Sequence, residues 1–423
     1  MKAFLAFLTL TLASAASAVA AQKMVFAHHV AGVAADLTPD NWVSDMKLAK
    51  EFYIDGFALN IGNNDPNNDK IINNAFDAAD KVGFKIFFSF DYATHGAFPP
   101  ATVIDLINRY KGRPSYYLLD GRPYVSTFEG PGSANDWISI KGATNCYFVP
   151  DWSSLGPEGI KAHLDKIDGA FNWNAWPDGP NSLHTDGDDL WRNALGGKHY
   201  LMGVSPWFYT NLPQWNKNWL WRGDNLWHYR WEDIIKFQPS MVEIITWNDF
   251  GESHYIGPLY EKSFPQGAGY CKDMPHQAWL KTLPNYIARY KGIDVPKGND
   301  KVVFWYRPTY GKACASGATT GNNIAYQKGF QPFEVQQEKV YVTVILDAAA
   351  EVAVQIGSAP EKVYKSDKAG LFHFDSEKGG AMGPVNIIVR RDGKEIKKVT
   401  GTALTNDCPL GHVNWNAWVG EDL

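Results

Sequence analysis

Up to about residue 250 the chain alternates between two hydrophobic periods, and this alternation limits its possible folds more than any other feature. Eight short β-branched or aromatic runs read as strands: MVFAHHV from Met24, GFALNI from Gly56, KIFFSFD from Lys85, PYVSTFE from Pro123, CYFVPDW from Cys146, DGAFNWNAW from Asp168, YLMGVSPWFY from Tyr200 and MVEIITWND from Met241. Segments of helical period lie between them: after Thr38-Pro39-Asp40, through IINNAFDAADKVG and ATVIDLINRYKG, near 157–165, 185–196 and 225–238, and finally near 275–291. Eight such units within 22–296 predict an α/β fold, a (β/α)8 TIM barrel, which commonly takes about 250 residues. The alternative, a doubly wound open sheet, lacks its Gly-rich phosphate-binding turn after the first strand.

After the Gly-, Pro- and charge-rich connector GIDVPKGNDK at 292–301, only strand signals follow, among them KVYVTVILD, AEVAVQIG and a hairpin through RRDGKE. Residues 297–423 therefore read as a C-terminal β-sandwich. At the other end, MKAFLAFLTLTLASAASAVAAQ has the form of a secretory signal over 1–21, so the mature chain is expected outside the cell or in a cell wall. No later apolar stretch approaches the ~20 residues of a membrane span. A formal charge of −5 is too mild to suggest a nucleic-acid or membrane partner. The four cysteines allow three pairings; Cys146 with Cys271 and Cys314 with Cys408 are expected, one pair in each domain. None has the short spacing of a metal site, so no metal is expected.

Active sites of such barrels lie at the C-terminal ends of the strands. Here those ends carry His28 and His29, Asn60, Asp91, Glu129, Asp151 and Trp152, then Asn172, Trp173, Asn174 and Trp176, then Trp207 and Tyr209, and last Trp247, Asn248, Asp249 and Glu252. Carboxylates, amides and tryptophans together suit sugar: aromatic faces stack on pyranose rings, and polar groups bind hydroxyls. Glycosidic cleavage needs two carboxyl groups, and Asp249 and Glu252 stand three apart in EIITWNDFGESHY. Their plain alternative is a polar loop. Adjacent histidines on a strand face opposite ways, so only one of His28 and His29 can reach the pocket, and His29 is taken as the sugar-binding one. The strand-end tryptophans can equally be core, and Glu129 and Asp151 read as supporting residues. The dense set Trp215, Trp219, Trp221, Trp227 and Trp231 exceeds what a helix core needs, so part of it is expected to extend the cleft. Trp305, Trp415 and Trp418 leave the C-terminal domain either a glycan-binding module or a structural domain packed on the barrel.

The blocks FAHHVAG, DGFALNIG, FFSFDYA, NWNAWPDG, SPWFYTNLPQWNKNW and EIITWNDFGESHYIGPL, in that order, resemble the fungal α-1,3-glucanases, or mutanases, of glycoside hydrolase family 71. The resemblance spans the whole proposed barrel. It implies an inverting endo-hydrolase with an α-1,3-glucan polysaccharide as partner, and a (β/α)8 barrel followed by a β-sandwich. The family's acidic residues fall on Asp249 and Glu252 of WNDFGES and on Asp91 of FSFDYA. No cofactor is called for, and a monomer is expected. The three-residue spacing suits either carboxyl separation used by glycosidases; the resemblance selects inversion. Glu252, with the longer side chain, is assigned as acid and Asp249 as base, with Asp91 positioning substrate or water. A sugar-binding barrel that has lost catalysis, or a hydrolase of another α-linked glycan, is the competing reading, and the retained acidic pair favours the enzyme.

Overall fold

The computed structural model describes residues 23–297 and 299–421, so the expected leader lies outside the described residues. Its largest sheet contains β1 (Met24–Val30), β2 (Gly56–Gly62), β3 (Lys85–Asp91), β4 (Arg122–Phe128), β5 (Tyr147–Phe148), β6 (Gly169–Asn172), β7 (His199–Val204) and β8 (Met241–Ile244). These strands are parallel and curl in the order β5-β4-β3-β2-β1-β8-β7-β6. At the two ends of that order, the Asp168 N–H donates to the Phe148 carbonyl and the Phe171 N–H to the Pro150 carbonyl, each at 2.8 Å.

A helix follows each strand: α1 (Pro39–Glu51), α2 (Asn68–Val82), α3 (Pro100–Tyr110), α4 (Asp136–Thr144), α5 (Gly156–Gly159), α6 (Asp186–Leu195), α7 (Leu226–Phe237) and α8 (Leu283–Lys291). Local chemistry sets their ends. Thr38 caps α1 by accepting the Asn41 N–H at 3.2 Å, with Pro39 opening the helix. Gly83, at φ +68°, takes the left-handed conformation that ends α2.

Strand parity sorts the side chains into two layers. Val25, Ala27, Leu59, Phe88 and Ile244 join one core with helix residues such as Trp42, Phe76, Ile107 and Ile234. The alternate residues Phe26, Ala58, Phe87, Tyr124, Phe171 and Leu201 pack on one another in a separate core on the other face of the sheet. A strand residue's function therefore depends on which of these layers it enters.

The C-terminal region holds β9 (Lys301–Tyr306), β10 (Lys339–Leu346), β11 (Ala350–Ile356), β12 (Lys362–Ser366), β13 (Gly370–Glu377), β14 (Gly383–Arg391), β15 (Lys394–Leu404) and β16 (Trp418–Glu421). They form two antiparallel sheets, ordered β13-β10-β9-β16 and β12-β11-β14-β15. Phe304, Val342 and Val344 of one sheet share a hydrophobic core with Val352, Val354, Ile387 and Val389 of the other. Trp305 and Trp415 are wholly buried against the parallel-sheet region. Trp305 donates to the Asp224 carbonyl at 2.8 Å, and the Trp415 carbonyl accepts from Trp207 at 3.0 Å. These two tryptophans join the regions and offer no surface to a glycan.

Cys314 and Cys408 form a disulfide. The other expected pair does not form: Cys146 and Cys271 are free and buried. Cys146 lies at the end of α4 beside Thr144, whereas Cys271 donates its thiol to the Phe250 carbonyl at 2.9 Å. Among the described residues no helix is long and apolar enough to cross a membrane.

Candidate active site

Beyond β8 the chain makes a tight excursion and returns. The Thr246 N–H donates to the His254 carbonyl at 2.9 Å, and the Ile256 N–H returns to the Thr246 carbonyl at 3.0 Å. The Trp247 N–H continues the sheet by donating to the His28 carbonyl at 2.7 Å. Asp249 and Glu252 ride on this closed loop. Their spacing is that of a side-chain-capped turn, in which Asp249 Oδ1 accepts the Glu252 N–H at 3.0 Å.

A chain of hydrogen bonds orients the rest. Thr246 Oγ1 accepts the Asp249 N–H at 2.9 Å and lies at hydrogen-bond distance, 3.1 Å, from His254 Nδ1. The other ring nitrogen of His254, Nε2, lies 3.0 Å from Glu252 Oε2 and 4.0 Å from Asp249 Oδ2. The hairpin of Tyr209–Leu212 and Lys217–Leu220 brings Lys217 Nζ to 2.7 Å from Glu252 Oε1.

These neighbours divide the two carboxyls. Burial, followed by the negative charge of Glu252, pushes Asp249 above the usual carboxylate range. Burial also opposes ionisation of Glu252, but the charge of Lys217 and the hydrogen bonds from His254 and Lys217 outweigh it and hold Glu252 well below that range. The surroundings thus drive the two proton affinities apart, that of Asp249 upward and that of Glu252 downward. Asp249, Glu252 and His254 each offer one ligand atom within 4.8 Å of the others. A cation there would meet the Lys217 ammonium already paired with Glu252, so this set is poorly suited to a metal.

Beside the pair opens a cavity of about 420 Å³ whose lining includes Asn172, Trp173, Trp176, Trp221 and Gln327. Neither carboxyl lines it. It adjoins them through Trp176, whose ring stacks on Trp221 at 5.1 Å and lies 5.5 Å from the His254 ring.

Glycoside cleavage uses a pair of carboxyls, and a tryptophan-lined cavity near such a pair suits a sugar. The family model described as Glycosyl hydrolase family 71 matches residues 21–422. The chain belongs to glycosyl hydrolase family 71. It is 33% identical to a glucan endo-1,3-alpha-glucosidase of Schizosaccharomyces pombe, over 98% of each chain. It is 34% identical to a mutanase of Penicillium rubens, over 94% of this chain and 88% of that relative. An ascus wall endo-1,3-alpha-glucanase of Schizosaccharomyces pombe is 30% identical over 64% of this chain and 66% of its own.

The remaining expected site residues of this family 71 glycoside hydrolase divide by layer. Asn172, Trp173 and Trp176 line the cavity. Asn60 is buried at the end of β2, its amide 3.5 Å from the Ser89 hydroxyl. Asp91 is occupied by its own turn: Oδ1 accepts the N–H groups of Ala93 and Thr94 at 2.8 and 2.9 Å, and Oδ2 the Thr94 hydroxyl at 2.6 Å. Its charge still helps to raise the Lys217 pKa, behind the larger effect of Glu252.

The structure places six further expected residues outside the lining of that cavity. His29 stacks on Trp42 of α1 at 4.4 Å, whereas His28 meets Trp173 edge-on at 4.8 Å and Glu243 Oε1 at 2.7 Å. Trp152 packs against Phe148 and His163 in the helix-side core. Trp247 is fully buried and donates to Asp45 of α1 at 2.9 Å. Trp207 holds the C-terminal region, and Tyr209 is buried against Tyr270 at 4.9 Å. Asn248 ties strand ends together by accepting the Val30 N–H at 2.8 Å and donating to the Val30 carbonyl at 3.0 Å. Within the dense tryptophan set, Trp227 and Trp231 are core, and Trp221 reaches the cavity. Lys217 carries no signal in the sequence, and Thr246 and His254 are marked only by flanking the WNDFGES motif.

Proposed function

We propose that this family 71 hydrolase cleaves α-1,3-glucan internally and outside the cell, with Asp249 as general acid and Glu252 as general base. The observation that carries the roles is the electrostatic asymmetry of the pair: Asp249 is raised and Glu252 depressed. This reverses the assignment drawn from side-chain length, because the proton goes to the carboxyl with the weaker cationic support. Asp249 donates a proton to the glycosidic oxygen as the C–O bond breaks. Glu252 takes a proton from the water that attacks the anomeric carbon. Asp91 acts as a positioning residue, holding its loop and reinforcing the charge of Lys217. The names of the near-full-length relatives support the α-1,3 linkage. The ascus-wall name of a third relative and the Cys314–Cys408 disulfide support action outside the cell.

The inverting course follows the family resemblance and opposes one distance. Inverting pairs stand about 6.5–9.5 Å apart to admit a water. Asp249 and Glu252 present oxygens within 4.8 Å of each other, so inversion here requires a bound sugar and water to separate them. We further read residues 22–296 as a complete (β/α)8 barrel and 297–423 as a β-sandwich domain. The hydrogen bonds between Phe148 and Asp168 and between Pro150 and Phe171, and the core common to the two C-terminal sheets, support this reading.

The test follows the products of α-1,3-glucan digestion by NMR from the first minutes. Release of a β-anomer first is the expected result. An initial α-anomer overturns inversion and makes Glu252, the ionised member, a nucleophile. Absence of reducing ends overturns the α-1,3-glucan assignment.

A further inference from the structure

We infer that the C-terminal region builds part of the glucan cleft, through a strap over residues 320–330 in which Gln327 is a positioning residue for a Trp221 sugar platform. The inference rests on the proposed α-1,3-glucan activity and adds to it a subsite remote from the cleaved bond.

The strap is fastened on both sides of the cavity. Thr320 and Gly321 pair in parallel with Trp219 and Leu220, adding a third strand to the hairpin that carries Lys217. Asn322, only 2% exposed, donates to the Lys328 carbonyl at 3.0 Å, and its Oδ1 accepts the Gly179 N–H at 2.7 Å. A Cβ on Gly179 would stand 2.5 Å from the Phe330 ring, so the strap packs against a position that only glycine fills.

Gln327 then spans the opening. Its Oε1 accepts the Trp221 indole N–H at 3.3 Å, and its amide donates to Asp178 Oδ1. Trp221 lines the cavity and stacks at 5.1 Å, 19° from parallel, on Trp176, whose ring lies 5.5 Å from that of His254, the neighbour of Glu252. The rings thus run outward from the chemistry toward the strap, along the path of a glucan chain longer than the cleaved bond. A partly exposed indole beside a cavity has several rotamers open to it, and the Gln327 acceptor selects one. Stacking of an aromatic face on successive glucose units is the recognition this wall supplies.

The test compares wild type with Gln327→Leu, which removes both hydrogen bonds at similar volume, and Gln327→Glu, which keeps the acceptor for Trp221. On α-1,3-gluco-oligosaccharides of increasing length, Gln327→Leu is expected to lose about tenfold in kcat/KM on the longest. On the shortest that is cleaved, it should lose less than about twofold. The long-chain loss should appear in KM, and Gln327→Glu should recover part of it. Calorimetric binding of the same oligosaccharides to Asp249→Asn protein, with and without Gln327→Leu, should show the same length dependence. Equal affinities at every length overturn the inference, as does a loss uniform across lengths. If wild type binds with this length dependence yet releases no sugar, the proposed activity fails while the strap stands.

Discussion

Replacing Lys217 by methionine tests the electrostatic division of labour most directly. The substitution retains much of the aliphatic stem and removes a positive charge 2.7 Å from Glu252 Oε1. Two unit charges at that distance attract by about 6 kcal/mol at an effective dielectric near 20 and by about 1.5 kcal/mol in water. The Lys217 side chain is 42% exposed and that of Glu252 15%, so solvent screening places the interaction toward the lower figure, about 1.5–3 kcal/mol. At about 1.4 kcal/mol per pH unit, this is roughly one to two units. The sign is fixed. Loss of the cation makes the Glu252 anion less favourable, so its pKa rises and the acid limb of kcat/KM moves upward. The loss of rate should be small at neutral pH and grow as pH falls through the carboxylate range. The assay is a pH profile of initial rates on soluble α-1,3-gluco-oligosaccharides at constant ionic strength. An acid limb displaced by less than about 0.3 unit, with the plateau lowered at every pH, would refute the reasoning and leave Lys217 a packing role.

Asp249→Asn and Glu252→Gln should each fold with near-native thermal midpoints and lose more than about 100-fold in kcat; retention of a tenth of the rate by either removes that residue from the proton chemistry. Trp152→Ala should lower stability by about 3–5 kcal/mol in urea unfolding, with no preference among substrates. Trp173→Ala should instead weaken binding of long glucans more than it slows cleavage of short ones; the reverse pattern would exchange their roles. Unreduced, denatured protein should titrate two thiols, Cys146 and Cys271. Replacing Cys314 and Cys408 together by serine should cost about 4–5 kcal/mol, because their bridge closes a loop with a sequence separation of 94; a loss below about 1 kcal/mol would show that the loop is held by other contacts.

The sequence by itself determined the parallel strands, their helices and the acidic motif, because these are local. Strands such as Met24–Val30 and Lys85–Asp91 have the bounds their runs predict. CYFVPDW and DGAFNWNAW instead shorten to Tyr147–Phe148 and Gly169–Asn172, although Val149 and Asp151 still donate to the Val125 and Thr127 carbonyls of the neighbouring strand. WNDFGES marked the two carboxyls because both stand on one turn, in which Asp249 accepts the Glu252 N–H. Which strand-end residues line the cavity was decided only by the tertiary structure. Both faces of a parallel sheet are buried, so their side chains are apolar alike and alternation carries no sign of which is inward. His29 and Trp247 therefore resemble pocket residues in sequence, yet fall on the helix side against Trp42 and Asp45. Lys217 and Gln327 carried no local signal. A hairpin and a strap from the C-terminal region bring them to Glu252 and Trp221, and the proton affinity of the carboxyl pair depends on charges that become neighbours only when the chain folds.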